Sequence, residues 1–349
     1  MANVTGFYVP VIYPSIKMQT ESGEYDGSGF GRTETCRDST SPLVTVLTSK
    51  RPIRIEIPNI ETSPVGFGGG VEDKEGGVDM VEIGSARFSV YSKKGKVKTY
   101  MEDRFCASVN IGDDSKLAFF GVFDGHGGTT AAEFVAKKIE KNMLDVFPAG
   151  IIFGEEECVG RINEAVKISY LRTDSQLLNE NVAGGSCSVT TLIKNGHLVV
   201  SNAGDCRAVI SKAGIAEPLT SDHRPSREDE KTRIESNGGY VNEVHGIWRL
   251  AGSLAVSRGM GDSHLKQWVI PDPETTVLRI KEEHELLILA SDGLWDKVSN
   301  QEAVDIARSL SNNNTPSSLS SCKKLVDLAI SRGSSDDITA VVINLGRFV

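Results

Sequence analysis

The residues in this chain with the clearest chemical potential are acids placed where apolar runs end. Phe119-Phe120-Gly121-Val122-Phe123 is long enough for a buried strand and stops at Asp124. Gly125-His126-Gly127-Gly128 then reads as a turn, and Thr130-Ala131-Ala132-Glu133-Phe134 opens a helix. Asp292 follows Leu286-Leu287-Ile288-Leu289-Ala290, and Asp336-Asp337 stands directly before Ile338. Asp205 sits in a Gly204-Asp205 corner between two short apolar runs, and Glu102-Asp103 precedes a strand starting near Phe105. One acid at a strand end is an ordinary turn-former or helix cap. Five such places are different. If the strands are neighbours, the carboxylates converge into a cluster that only cations make tolerable. All the donors are oxygens, with no His/Cys set at zinc spacing, which selects a hard cation such as Mg²⁺ or Mn²⁺. Gly125 has no side chain to keep its own carbonyl from an ion. Two cations bridged by Asp124 would suit in-line phosphoryl displacement by activated water. His126 is placed either to protonate a leaving oxygen or to orient Asp124.

These acids need strands to carry them. Alternating or continuously apolar segments predict strands at 87–92, 105–111, 188–193, 197–202, 207–211, 286–290 and 338–345. Helical spacing predicts helices at 130–147, 161–180, 227–237, 301–310 and 319–331, the first stopped by Pro148 and the third by Gly238-Gly239. Neighbouring strands clustered between groups of helices indicate an α+β fold with antiparallel pairing.

The net charge of −9 argues against a nucleic-acid or anionic-membrane binder and suits a chain that holds cations. Six cysteines without CxxC pairing suggest buried thiols in a reducing compartment, cytoplasmic or nuclear. No run approaches a membrane span, and no secretory signal is recognisable.

Residues 1–79 are rich in Ser, Thr, Gly and Pro and read as a flexible extension ahead of a catalytic domain at 80–349. Within the extension, Lys50-Arg51-Pro52-Ile53-Arg54-Ile55-Glu56-Ile57 joins a basic head to alternating isoleucines. Such a segment can lie extended in a partner's groove, with Ile55 and Ile57 in apolar pockets and Lys50 and Arg51 on an acidic patch. It resembles the docking motif by which substrates and regulators bind mitogen-activated protein (MAP) kinases.

The ordered motifs carry a wider resemblance. They are Met101-Glu102-Asp103, Phe123-Asp124-Gly125-His126-Gly127-Gly128, Gly185-Ser186-Cys187 and Asn202-Ala203-Gly204-Asp205. Ser221-Asp222-His223-Arg224-Pro225, Leu254–Asp262, Ser291-Asp292-Gly293-Leu294-Trp295-Asp296 and Ser335-Asp336-Asp337-Ile338 follow. In this order they resemble a type 2C, metal-dependent serine/threonine protein phosphatase of plant type. The resemblance implies an αββα sandwich of two antiparallel sheets flanked by helices, with a dinuclear metal site at one end. By position, Asp124 would bridge two Mg²⁺ or Mn²⁺ ions, Gly125 would bind one through its carbonyl, and Asp292 and Asp336 the other. Glu102 and Asp103 would hold metal-bound waters, Asp205 and Asp296 would serve a weaker third ion, and His126 would be the general acid. Attack by a metal-bridging hydroxide would release the seryl or threonyl oxygen. Val241–Ala251 falls where the family has a flap beside the substrate cleft.

One position departs from the family. Lys98 stands where an arginine usually grips the substrate phosphate, and lysine supplies charge without a bidentate fork. Lys96 could share that task. With the docking segment, these features lead to the expectation of a monomeric phosphatase that dephosphorylates a MAP kinase and restrains stress or defence signalling. Two further readings are a binding module that sequesters a kinase, with catalysis incidental, and a hormone-receptor-regulated phosphatase of the same family.

Overall fold

The computed structural model describes residues 43–45, 79–147, 156–311 and 318–349. Fifteen strands and six α-helices make up the described chain. The first sheet has the order β1 (Leu43–Thr45), β2 (Met80–Gly84), β3 (Phe88–Lys93), β15 (Ile338–Asn344), β14 (His284–Ala290), β8 (Arg207–Lys212), β9 (Ile215–Pro218). The second has the order β13 (Glu274–Arg279), β7 (His197–Ala203), β6 (Gly185–Lys194), β5 (Leu117–His126), β4 (Arg104–Val109), with β12 (Met260–Gly261) paired to the start of β6. Every pairing in both sheets is antiparallel. A separate hairpin joins β10 (Val241–Val244) to β11 (Ile247–Leu250). The helices are α1 (Thr130–Val146), α2 (Glu156–Asn179), α3 (Glu228–Ser236), α4 (Asp292–Trp295), α5 (Asn300–Ser311) and α6 (Ser318–Ser331).

The continuous apolar runs are explained by burial on both faces. On β5, Phe120 and Val122 enter the core between the sheets, where they meet Phe88, Val90, Leu287, Leu289 and Val341. Phe119 and Phe123 point the other way, into a core made with α1 and α2. On β14 the same parity puts Leu286, Ile288 and Ala290 against α4, α5 and α6. Sheets covered on both sides lose the in–out alternation of polarity, because no face meets water. The layers are therefore helix, sheet, sheet, helix, as the motif resemblance implied.

Two expectations need correcting. The strand does not stop at Asp124: β5 runs on through Gly125 to His126, paired residue for residue with Cys187, Ser186 and Gly185. Asp, Gly and His are weak strand formers, but a ten-residue partner strand overrides that local preference. Helix α2 starts at Glu156, five residues before the expected Arg161. The five described cysteines are all buried and unbonded, and Cys36 lies outside the described residues.

Candidate active site

The strand ends bring the acids together. Asp124 lies two residues from the end of β5, and Asp103 immediately precedes β4, whose Arg104 pairs with Phe123. Asp205 follows β7, whose Ala203 pairs with Ser188 near the start of β6. On the other sheet, Asp292 follows β14, and Asp336 precedes β15 beside it, Ala290 pairing with Ala340. All five positions therefore fall at one end of the sandwich. Asp124 shares the side-chain parity of Phe120 and Val122, so its carboxylate enters the slot between the sheets.

The electrostatics show how close they are. Burial pushes the Asp124 carboxyl well above the ordinary carboxylate range, and the charges of Asp103, Asp292, Asp205 and Asp336 push it further. Asp292 is raised by burial and by Asp205, Asp296 and Asp336. Asp103 is driven up to about 7, first by burial and then by Asp337. Burial also raises Asp205, against the pull of Arg224. Each of these acids is thus held where its ionised form is unfavourable without a counter-charge.

Two cations flank the cluster. Lys98 Nζ lies 2.6 Å from Glu102 and 3.4 Å from Asp336. Burial opposes its charge, but the Glu102 hydrogen bond and Asp336 outweigh burial and keep it protonated. Lys96 is exposed to solvent. Arg224 reaches Asp296 at 2.8 Å, Asp205 at 3.3 Å and Asp292 at 3.8 Å.

Neutral groups fix the remaining acids. Glu102 accepts the Gly128 N–H at 2.7 Å. Ser291 Oγ donates to Asp103 at 2.7 Å, while the other Asp103 oxygen, Oδ1, is buried without a partner. Packing requires a glycine at 125: a Cβ there would lie 2.6 Å from the Glu102 carbonyl oxygen.

Among the described residues, no three His, Cys, Asp or Glu side chains close into a ready metal cage. The acids instead surround a cleft, drawn outward by Lys98, Arg224 and backbone N–H groups. The all-oxygen donor set, the partnerless buried oxygen of Asp103 and the mutual repulsion around Asp124 fit hard divalent cations better than any other ligand.

Several contributors were not visible in the sequence. Asp337 is almost fully buried, and its carboxylate accepts the N–H of Gly95 at 2.7 Å and of Glu102 at 2.6 Å. It straps the segment bearing Lys98 and Glu102 onto the strand end that presents Asp336. The Asp336-Asp337 pair was conspicuous, but sequence alone could not divide cation holding from strapping. Ser291 and Arg224 gave no signal beyond their motifs. The four residues expected to dock a partner, Lys50, Arg51, Ile55 and Ile57, lie outside the described residues.

Val241–Ala251 forms the β10–β11 hairpin. His245 (φ 53°) and Gly246 (φ 81°) occupy the two central positions of its turn, both left-handed. Its root packs Leu250 with Ile234, Leu265 and Val269. Beneath it, Glu230 of α3 gathers Arg233 at 2.8 Å and Arg258 at 2.7 Å.

Comparison with known proteins agrees with this arrangement. The family model described as protein phosphatase 2C matches residues 89–338. An Arabidopsis thaliana protein, "Probable protein phosphatase 2C 2", is 55% identical over 306 residues, covering 86% of this chain and 78% of that one. A rice (Oryza sativa subsp. japonica) relative, "Probable protein phosphatase 2C 32", is 55% identical over 271 residues, covering 77% of this chain and 68% of its own length. The crystal structure of a serine-threonine phosphatase 2C from Toxoplasma gondii superposes with a TM-score of 0.66 at 26% identity, over 76% of this chain and 98% of that one. With its two-sheet fold and its acid-lined cleft, the chain belongs to the protein phosphatase 2C family of metal-dependent serine/threonine phosphatases.

Proposed function

We propose that this serine/threonine protein phosphatase holds two divalent cations with Asp124, the Gly125 carbonyl, Asp292 and Asp336, and acts on a MAP kinase held by its N-terminal extension. The observation that carries the metal assignment is the convergence of acids from both sheets on Asp124. Bound Mg²⁺ or Mn²⁺ would polarise the phosphoryl group and activate water. The protein's own residues do the rest. Glu102, Asp103, Asp205 and Asp296 complete the polar wall, Asp337 holds its loop, and Lys98 offers its ammonium to the substrate phosphate. His126, on the same strand and parity as Asp124, donates a proton to the departing seryl or threonyl oxygen.

Residues 80–349 form the catalytic unit in this reading, and 1–79 the tether, acting in the cytoplasm or nucleus. Support for the tether is the basic-then-Ile-x-Ile pattern of Lys50–Ile57. The test compares full-length protein with Lys50/Arg51→Ala and Ile55/Ile57→Ala variants on a phosphorylated MAP kinase and on a short phosphothreonine peptide. Tethering predicts that kcat/KM falls about tenfold or more on the kinase and is unchanged on the peptide. Equal rates on the kinase would remove the tether and leave the phosphatase assignment standing.

Lys98 makes a separate prediction. Lys98→Ala should raise KM for the phosphopeptide about tenfold, the worth of a charge-assisted hydrogen bond, and Lys98→Arg should lower it below wild type by restoring the fork. Steady-state kinetics at saturating Mg²⁺ decides it; an unchanged KM in Lys98→Ala would remove Lys98 from phosphate binding.

A further inference from the structure

Asp262 is a buried carboxylate with no place in the cation cluster. It is 2% exposed, and both of its oxygens lie 2.9 Å from His126 Nε2. A carboxylate is desolvated here at considerable cost unless a partner repays it, and the imidazole is that partner.

The backbone around the pair is shaped to let them meet. His126 ends β5 opposite Gly185, and Gly185 in turn pairs with Gly261 of β12. The start of β6 therefore lies between the histidine and the aspartate, and contact across it requires an absent side chain. A Cβ on Gly185 would sit 2.2 Å from Asp262 Oδ2 and 2.7 Å from His126 Nε2. Gly184 is left-handed at φ 79°, and a Cβ on it would lie 2.2 Å from the His126 carbonyl oxygen. Asp262 is itself left-handed, at φ 51° and ψ 49°, a conformation that costs a non-glycine residue about 1 kcal/mol. Hydrogen bonds hold it there: its N–H donates to the Gly184 carbonyl at 2.8 Å. The preceding Gly261 N–H donates to Asp174 at 2.7 Å, and Lys266 locks Asp174 at 2.7 Å.

We infer that Asp262 is a positioning residue for His126, fixing the ring so that Nε2–H faces the carboxylate and Nδ1 is the nitrogen that exchanges a proton with substrate. This rests on the reading of His126 as proton donor. In the step it serves, the oxygen of an attacking water bonds to phosphorus while the bond from phosphorus to the seryl or threonyl oxygen breaks, and that bond's electron pair stays on the departing oxygen. The proton on Nδ1 moves to the oxygen, and the ring becomes neutral with its remaining proton on Nε2, the tautomer that Asp262 accepts from. Solvent then returns a proton to Nδ1. With no carboxylate at 262, the neutral ring has no such preference, and its donating nitrogen is set only by local water.

The test uses full-length protein with Mg²⁺ and ¹⁵N-labelled histidine, the His126 signals being assigned by their loss in His126→Gln. Wild type should show Nε2 protonated and Nδ1 bare in the neutral ring; Asp262→Asn should lose that preference. On a phosphothreonine peptide, Asp262→Asn should lower kcat about 10²-fold with KM changed by less than about threefold, as for a misplaced general acid. On p-nitrophenyl phosphate, whose leaving group needs little protonation, the loss should be several-fold smaller. The double variant Asp262→Asn/His126→Gln should be no slower than His126→Gln alone, because Asp262 acts only through the ring. An unchanged tautomer, equal losses on both substrates, or additive losses in the double variant would each overturn the inference. If Asp262→Asn does not fold, Gly185→Ala, which forces a methyl between the two side chains, is read by the same tautomer and substrate comparison. A wild-type protein inactive on both substrates would remove the phosphatase reading, while the ¹⁵N spectrum would still decide the contact.

Discussion

Asp124→Asn should abolish phosphatase activity, lowering kcat on a phosphothreonine peptide by about 10³-fold or more, and should at the same time stabilise the metal-free protein. The first effect follows from the proposed role of Asp124 in holding the cations, which would supply several kcal/mol of Lewis-acid stabilisation. The second follows from the repulsion described above. Asp124 is raised well above its ordinary value by burial and by four neighbouring acids, and Asp103 stands at about 7. Raised acids bind protons more tightly in the folded state. Their stabilising contribution is complete below about pH 4, the unfolded value, and is lost as pH climbs through the folded value. Chelated wild type should therefore melt lower at pH 7.5 than at pH 5. Asparagine removes one of the repelling charges, so the variant should melt higher than wild type in EDTA at pH 7.5, with the gap closing towards pH 5. Mg²⁺ should raise the wild-type Tm and leave the variant nearly unmoved. Activity retained within tenfold, or a variant that melts lower in EDTA, would count against Asp124 as the central ligand.

The largest loss of stability should come from Glu230→Gln. Glu230 is 1% exposed and serves Arg233 at 2.8 Å and Arg258 at 2.7 Å, with Arg227 at 3.7 Å. Burial alone would raise its carboxyl, but hydrogen bonds from Arg258 and Arg233 hold it down at about 2. Removing the charge leaves two half-buried guanidiniums facing each other, a loss of about 3–5 kcal/mol. The two arginines also fasten α3 to the rest of the chain, Arg258 through the Asp272 carbonyl and Arg233 through the Trp268 carbonyl. The β10–β11 hairpin rests on α3, so Glu230→Gln should loosen it before the sheets melt. Thermal denaturation and hydrogen exchange of residues 228–258 measure both effects; protection unchanged in that segment would refute the linkage. Acid should mimic the substitution. His223, held at about 4 by burial and then by the charge of Arg258, loses its stabilising contribution between about pH 6.5 and 4. Glu230 loses its own between about pH 4.5 and 2.

The acids that gather at one end of the sandwich were legible because each sits against an apolar run, a contrast that survives without any knowledge of pairing. The layering came from the motif resemblance; the apolar runs such as 286–290 indicated only buried strands in an α+β fold. The assignment of strands to sheets was not legible, because β14 and β15 look no different in composition from β5 and β6. Edge strands were harder still: β13, Glu274–Arg279, is half-buried up to an exposed Arg279 and carries no strong period. The segment 241–251 was expected only as a flap by resemblance, and its two four-residue strands were not predicted. Asp262 and Asp337 show the limit most clearly. Their partners are His126, 136 residues away, and Gly95, 242 residues away. No local pattern encodes a contact of that span.

The passage of β5 through Asp124, Gly125 and His126 has a consequence for how this sequence can change. Alternate residues of a strand face opposite sides, so one inserted or deleted residue between 117 and 123 would reverse every side chain beyond it. Asp124 and His126 would turn towards α1, and Gly125 would face the slot with nothing to offer but its backbone. The strand therefore admits no change of length. Variation in length among related sequences should therefore concentrate in turns such as Asn195-Gly196 and His245-Gly246, and be absent from 117–126.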